Sequence, residues 1–485
     1  MSLKILFTHA FFLRLDAKQL ATAKPYPPLG TLYAMAWLRE LGHEVALHDS
    51  MFADGPEAIV PALEAHRPDV LVLYDDGFNW LTKMCLGAMQ RAAFEMIRLA
   101  RERGAKVLVA SSDASDHRGR YLTPGVAAVI LGEGELTLGE AVAALQAGAP
   151  LADVAGLALL VDGEVRETAP RPALREPDRL PRPAWDLVDL APYERMWRAA
   201  HGHWSLNLVS SRGCPYGCSW CAKPIYGTQY YLHSPERVVA DIAWLRARHR
   251  FEHVWFCDDI FGLRADWLER FADGLEAEGI RLRLMVQARV DMLAKDRVRA
   301  AMVRSGLDTV WLGVESGSQK VLDAMSKGIT VEQVRSATRG LQAAGVRVAF
   351  FLQFGYLGET REDIEQTLGL VLELLPDEIG VSVSYPLPGT AFYDQVRAQM
   401  GAKTNWEHSD DLALMYRGTF SPEFYRRLHR YVHRRFQAAR GLAALARLVR
   451  RPWRADRRAL RSAALTAYYA PASLVDALRL KRLEA

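Results

Sequence analysis

Over the first 150 residues, short apolar runs alternate with segments of helical spacing. "KILFTHAF", "HEVALHD", "DVLVLY", "AKVLVAS" and "AAVILGEGE" read as buried strands. "GTLYAMAWLREL" and "GAMQRAAFEMIRLARERG" repeat their apolar positions every three or four residues, as helices do. This rhythm predicts an α/β, doubly wound (Rossmann-like) parallel sheet over residues 1–150, with ligands at the carboxyl ends of its strands. Residues 151–204 include "RETAPRPALREPDRLPRPAWDLVDLAPY", dense in proline and charge. They are predicted to form an ordered connector without regular elements.

The alternation restarts at Ser205. "WSLNLVSS", "HVWFCDD", "RLRLMVQAR", "DTVWLGVES", "RVAFFLQFGY" and "EIGVSVSYPLPG" read as strands, separated by helical segments such as "PERVVADIAWLRARH" and "TREDIEQTLGLVLELL". Six strand–helix units over residues 205–400 predict a partial (β/α)6 TIM-type barrel, short of the eight units of a closed one. The polar and reactive residues fall at the strands' carboxyl ends, which form the active face of such barrels. Residues 401–485 alternate Arg with Leu and Ala at helical spacing and predict a basic helical region.

A chain of 485 residues, half hydrophobic and 24% charged, fits several soluble domains. It holds no apolar run long enough to predict a membrane-spanning helix. The opening "MSLKILFTHAFFLRLDAK" lacks a small-residue cleavage site and reads as a first strand, so a secretory signal is not expected. The net charge of +4 hides an asymmetry: from Ser421 onward there are sixteen Lys and Arg against four acidic residues. That tail is open to three readings: a solvated or packing face, contact with an anionic membrane surface or acidic substrate, and nucleic acid, which is the least expected.

Three of the five cysteines, Cys214, Cys218 and Cys221, lie within "SSRGCPYGCSWCAKP". Disulfides among them would be strained, and a reduced, cytoplasmic setting with metal or redox chemistry is expected. Cys85 and Cys257 are far away in sequence. His201, His203 or His233 could complete a zinc site. Three thiolates on a cubane iron–sulfur cluster would instead leave one iron open to a further ligand. The spacing, the surrounding glycines and the position after the first barrel strand favour the cluster.

Residues 205–400 resemble the radical S-adenosylmethionine (SAM) enzymes, whose signature C-x-x-x-C-x-aromatic-C is matched by Cys214, Cys218 and Cys221 with Trp220 as the aromatic. The resemblance implies a [4Fe-4S] cluster whose fourth iron is chelated by SAM and which, once reduced, cleaves SAM to a 5′-deoxyadenosyl radical. An electron donor such as flavodoxin or ferredoxin is implied as a partner. Carried over by position, Asp258 and Asp259 in "VWFCDD" would meet SAM's amine. Arg289 in "VQARVD" would approach its carboxylate, and Glu315 and Ser316 in "LGVESGS" its ribose or methionine portion. Gly355, Gly358 and Glu359 in "FGYLGET" would lie near the adenine. Each has a structural alternative: the aspartates as a helix cap, Arg289 in an ion pair, the glycines as turns. Cys257 reads as a small core residue.

"YPPLGTLYAMAWLRELGHEVALHD" and "AAVILGEGELTLGEAV" resemble the cobalamin-binding domains fused ahead of such barrels, as in class B radical SAM methyltransferases and relatives of the anaerobic magnesium-protoporphyrin ester cyclases. The resemblance implies cobalamin near Tyr26, Pro27, Pro28, Leu29 and Gly30, with Ser111, Ser112 and Gly132, Glu133, Gly134 and Glu135 beside them. Two departures stand out. No D-x-H-x-x-G supplies an axial histidine, and "ASSDASDH" replaces the usual glycine-glycine-proline-histidine turn. The expectation is a cobalamin-dependent enzyme that methylates an unactivated carbon of a small molecule, natural product, lipid or tetrapyrrole. The alternatives are a cyclisation or rearrangement without methyl transfer and, from another class, a cobalamin or iron–sulfur sensor.

Overall fold

The computed structural model describes residues 2–84, 86–223, 225–450 and 457–483; Cys85 lies outside the described residues. The first sheet has seven strands: β1 (Lys4–Thr8), β2 (Glu44–His48), β3 (Val70–Tyr74), β4 (Lys106–Ala110), β5 (Val126–Ile130), β6 (Leu157–Val161) and β7 (Glu164–Glu167). Their order is β2-β1-β3-β4-β5-β6-β7, parallel through β5 and antiparallel beyond it. Strand order reverses between β1 and β3, where ligands of doubly wound sheets bind. All five side chains of β3 are buried, which explains its unbroken apolar run.

The expected boundary at residue 150 is corrected by β6 and β7. This hairpin extends the first sheet, turning at Asp162 and Gly163, both at positive φ. The connector also holds a helix, Ala191–His201, entered at Pro192 and ended by Gly202 in the left-handed region.

The second sheet contains β8 (Ser205–Leu208), β11 (His253–Phe256), β12 (Arg283–Ala288), β13 (Leu307–Glu315), β14 (Arg347–Phe354) and β15 (Glu378–Val383). They are all parallel, in the order β15-β14-β13-β12-β11-β8, and form the open six-stranded partial barrel. Between β8 and β11, the two-residue strands β9 (Ser211–Arg212) and β10 (Tyr231–Leu232) pair antiparallel and bracket the cysteine loop.

Only part of residues 401–485 is helical. Residues 401–420 are largely irregular and lie across both domains: Ser409 accepts from Gln19 and donates to Asp16 of the first, and Tyr416 donates to the Gly355 carbonyl of the barrel. Two long helices follow, Pro422–Arg450 and Arg457–Leu483, packed as a hairpin. Phe424, Leu428, Val432 and Phe436 are buried on the first, which covers the edge strand β15. Among the described residues no helix is long and apolar enough to cross a membrane.

Candidate functional site

The cysteine loop is entered through Gly213 at φ 78°, where a Cβ would stand 2.2 Å from the Gln229 carbonyl oxygen, so only glycine fits. The loop is then tied down along its length. The Cys214 amide meets the Gly227 carbonyl at 3.4 Å, Lys223 donates to the Cys214 carbonyl at 2.9 Å, and the Ser219 amide donates to the Met325 carbonyl at 3.0 Å. All three thiols are free. Burial, followed by the nearby Asp259 and the other two cysteines, pushes Cys221 up to about 12.

Two cations stand against these thiols. The Arg289 guanidinium lies 3.7 Å from the Tyr216 ring centre and 3.9 Å from the Cys218 sulfur, and is held by Asp291 at 2.9 Å and the Lys327 carbonyl at 2.8 Å. Lys327 Nζ donates to Glu315 at 2.7 Å, both groups being buried, and lies 5.6 Å from the Trp220 ring. Burial alone would depress the Lys327 ammonium, but Glu315 and Cys218 hold it above its ordinary value. This donor set fits a [4Fe-4S] cluster: three free thiols on one loop, faced by two positive charges that offset thiolate charge.

The zinc alternative finds no support at the loop. His201 bonds the Thr22 and Ala23 carbonyls, His203 the His201 carbonyl, and His233 bonds Asp178 at 2.9 Å. Among the described residues no three His, Cys, Asp or Glu side chains converge tightly enough to hold one metal ion. In a cluster each thiolate takes its own iron, so its ligands need no such convergence.

The other strand-end residues divide. Glu315 ends β13 beside a register shift and sits at φ 61°, a left-handed conformation rare outside glycine. With Arg289 it joins the cysteine loop. Asp258 does not face outward: it accepts from the Ser210 amide at 3.0 Å and from the Ser210 and Ser211 hydroxyls, while burial lifts it to about 6. It ties the end of β11 to the start of the loop. Asp259 pairs with Lys83 of the first domain. Burial would lower the Lys83 ammonium, and Asp259 outweighs it. Ser316 is committed to Thr367 at 3.1 Å and to the Ser318 amide. Gly355 and Gly358 turn the chain at positive φ, and Glu359 accepts from the Gly355 amide at 2.6 Å, with burial raising it to about 8. Cys257 is a buried core residue whose thiol is raised first by burial.

In the first domain, Tyr26 is buried between Phe11 and Trp255 with its hydroxyl unpartnered. The Pro27 carbonyl accepts from Asn207 of β8 at 2.9 Å, and Pro28 precedes the helix that begins at the buried Leu29. Gly30 donates to Asp76 at 3.0 Å, where a Cβ would crowd that oxygen at 3.2 Å. Ser111 caps the short helix that begins at Ser112, accepting from the Ala114 amide. Gly132 turns at φ 72°, and a Cβ on Gly134 would stand 2.5 Å from the Tyr74 hydroxyl. Glu133 and Glu135 carry a different duty from the one the resemblance implies: both bind Arg212 of β9, at 3.3 and 2.7 Å. Arg212, Lys83 and Lys327 are the residues that sequence reasoning missed.

The carboxyl ends of both sheets thus face each other across one seam, joined by Arg212–Glu135 and Lys83–Asp259. Asp76 Oδ2, Asn79 Nδ2 and the Tyr26 hydroxyl are buried there without a protein partner. A macrocycle fringed with amides suits such orphaned groups. The hollow lined by Phe11, Asp75, Gln90, Asp113 and Tyr121, all of the first domain, measures about 20 Å3 and is too small as it stands to hold a corrin.

The family profile of the Radical SAM superfamily matches residues 208–371, and that of the B12 binding domain matches residues 20–142. The chain is 29% identical over 387 residues to an uncharacterized methyltransferase of Pyrococcus horikoshii, covering 78% of this chain and 81% of that one. It is 26% identical over 392 residues to the anaerobic magnesium-protoporphyrin IX monomethyl ester cyclase of Synechocystis, covering 79% and 76%. Its fold is similar to that of the cobalamin-dependent S-adenosylmethionine radical enzyme OxsB, solved with aqua-cobalamin and S-adenosylmethionine bound. That match has a TM-score of 0.75 at 18% identity and covers 99% of this chain and 72% of the other. The chain carries a B12-binding domain over residues 20–142 ahead of a radical SAM domain over residues 208–371, and is a cobalamin-dependent radical SAM enzyme.

Proposed function

We propose that this enzyme methylates an unactivated carbon of a small-molecule substrate lying between the two opposed strand-end faces. The observation that supports this reading most directly is Lys83 of the B12-binding domain paired with Asp259 of the barrel, beside the cysteine loop. When bound, the cluster with SAM supplies hydrogen-atom abstraction and cobalamin supplies methyl transfer. Cys214, Cys218 and Cys221 hold the cluster. Arg289 is placed to meet a carboxylate beside Cys218, and Glu315, oriented by Lys327, to meet SAM's polar groups. Asp258 holds the loop against β11, and the buried Arg212–Glu135 pair at the seam helps keep water from the reacting atoms.

A second reading has the same geometry serve a cyclisation, supported by the similarity to the magnesium-protoporphyrin ester cyclase over most of the chain. Counting SAM products separates the two. Methylation consumes one SAM to recharge cobalamin and a second to abstract hydrogen, so S-adenosylhomocysteine and 5′-deoxyadenosine form in equal amounts with methylated product. Deoxyadenosine without substrate-dependent S-adenosylhomocysteine, in cobalamin-loaded enzyme, would replace methylation with the second reading.

A further inference from the structure

The C-terminal hairpin has three faces, and two are accounted for. One packs Phe424, Leu428, Val432 and Phe436 onto the barrel. The second is the seam between its helices. It is close enough that a Cβ on Gly441 would stand 1.8 Å from the Thr466 hydroxyl, and it is pinned by Arg434 on the buried Asp476 at 2.7 Å.

The third face is apolar and exposed. Among the described residues, nine of the thirteen exposed large hydrophobic side chains belong to these two helices. On Arg457–Leu483, Leu460, Leu474 and Leu478 join the exposed Ala464, Ala467 and Pro471 in one stripe that recurs every three or four residues, with Leu465, Tyr468 and Val475 to one side of it. Leu474 and Leu478 are each 64% exposed. Leu442, Leu445 and Val449, the last 76% exposed, form a shorter stripe at the end of the partner helix. Arg461 and Arg479 flank the longer stripe on one side and Lys481 on the other. Among the described residues no carboxylate pairs with these three or with Arg447 and Arg450.

We propose that this face docks the enzyme onto an anionic phospholipid surface, the leucines entering the headgroup boundary and the arginines binding lipid phosphates. Charge complementarity selects that occupant: sixteen basic against four acidic residues from Ser421 onward, with Arg461, Arg479 and Lys481 bordering the apolar stripe. A second copy of this chain would bring the same arginines face to face. The inference is independent of whether the reaction is methylation or cyclisation.

The test is co-sedimentation of the full-length, cluster-loaded protein with phosphatidylcholine vesicles containing or lacking phosphatidylglycerol. Binding is expected to the anionic vesicles, weakened by high salt, and little to the neutral ones. The Leu474→Glu/Leu478→Glu variant should lose it while keeping its iron content and circular dichroism spectrum. Arg461→Gln and Arg479→Gln should each weaken it about fivefold. The proposal is overturned if anionic vesicles leave the protein in solution, or if the leucine variant binds as well as the parent. It is also overturned if those leucines instead hold a dimer that Leu474→Glu/Leu478→Glu dissociates without any vesicle binding.

Discussion

Arg212, two residues before the first cluster cysteine, donates to Glu135 of the B12-binding domain at 2.7 Å, both side chains being almost fully buried. Tyr33, Phe78 and Tyr226 surround the guanidinium at 5.2 to 5.5 Å from ring centre to Cζ. The entry to the cysteine loop is therefore anchored in the other domain, and the shape of that loop depends on how the domains dock.

Removing one partner leaves the other charged and buried. Arg212→Ala should destabilise the protein by about 3 to 5 kcal/mol, read as a lower thermal midpoint together with reduced iron per chain. Arg212→Met combined with Glu133→Gln and Glu135→Leu should recover much of that stability, because no charge of the cluster then remains stranded. Equal midpoints for the single and triple variants would refute the account.

Glu315 and Lys327 act as one unit. Lys327→Met should leave Glu315 buried without its cation, and Glu315→Ala and Arg289→Ala should strip the groups placed to meet SAM. All three variants should keep the cluster's visible absorbance while losing about tenfold or more in SAM affinity, the scale of a charge-assisted contact. Cys218→Ala, by contrast, should lose the absorbance itself. An unchanged SAM titration for Glu315→Ala would place SAM elsewhere.

Acid should loosen the hairpin. The His429 and His433 rings lie 4.5 Å apart, tilted at 59° to each other. Burial first, then His433 and Lys18, lowers His429 to about 3, and burial with Lys18 lowers His433 to about 4. An imidazole whose folded value lies below its unfolded one contributes stability above pH 6.5 that is lost as pH falls toward 4. The loss for the pair is about 3 kcal/mol, allowing for their partial exposure. Urea midpoints at pH 7 and pH 5 should differ less for His429→Gln/His433→Gln than for the parent. An identical shift in both would remove these histidines from the acid response.

The six barrel strands were legible because parallel strands buried on both faces leave unbroken apolar runs such as "RVAFFLQF". The β6–β7 hairpin was also written in the chain, as "LALLVDGEVRE" with its Asp162–Gly163 turn. It was overshadowed by the prolines that follow. The three cysteines of the loop stood out by their spacing. Lys327, Arg212 and Lys83 did not, because their partners lie 12, 77 and 176 residues away and no local pattern links them. Glu133 and Glu135 show the converse: acidic residues at a ligand-binding strand end can be claimed by a neighbouring domain. The arginine that claims them looks, in sequence, like part of the loop's flank.

The narrow seam makes assembly a matter of timing. With Lys83–Asp259 and Arg212–Glu135 tying the two strand-end faces together, a ligand as large as a corrin would enter while the two domains are parted, and re-forming the pairs would then close over it. Uptake by the closed apoprotein would wait on rare openings, and the same barrier would make escape slow once the vitamin is seated. The protein would carry its corrin as a long-term resident, and exchange between molecules would run on the clock of domain parting.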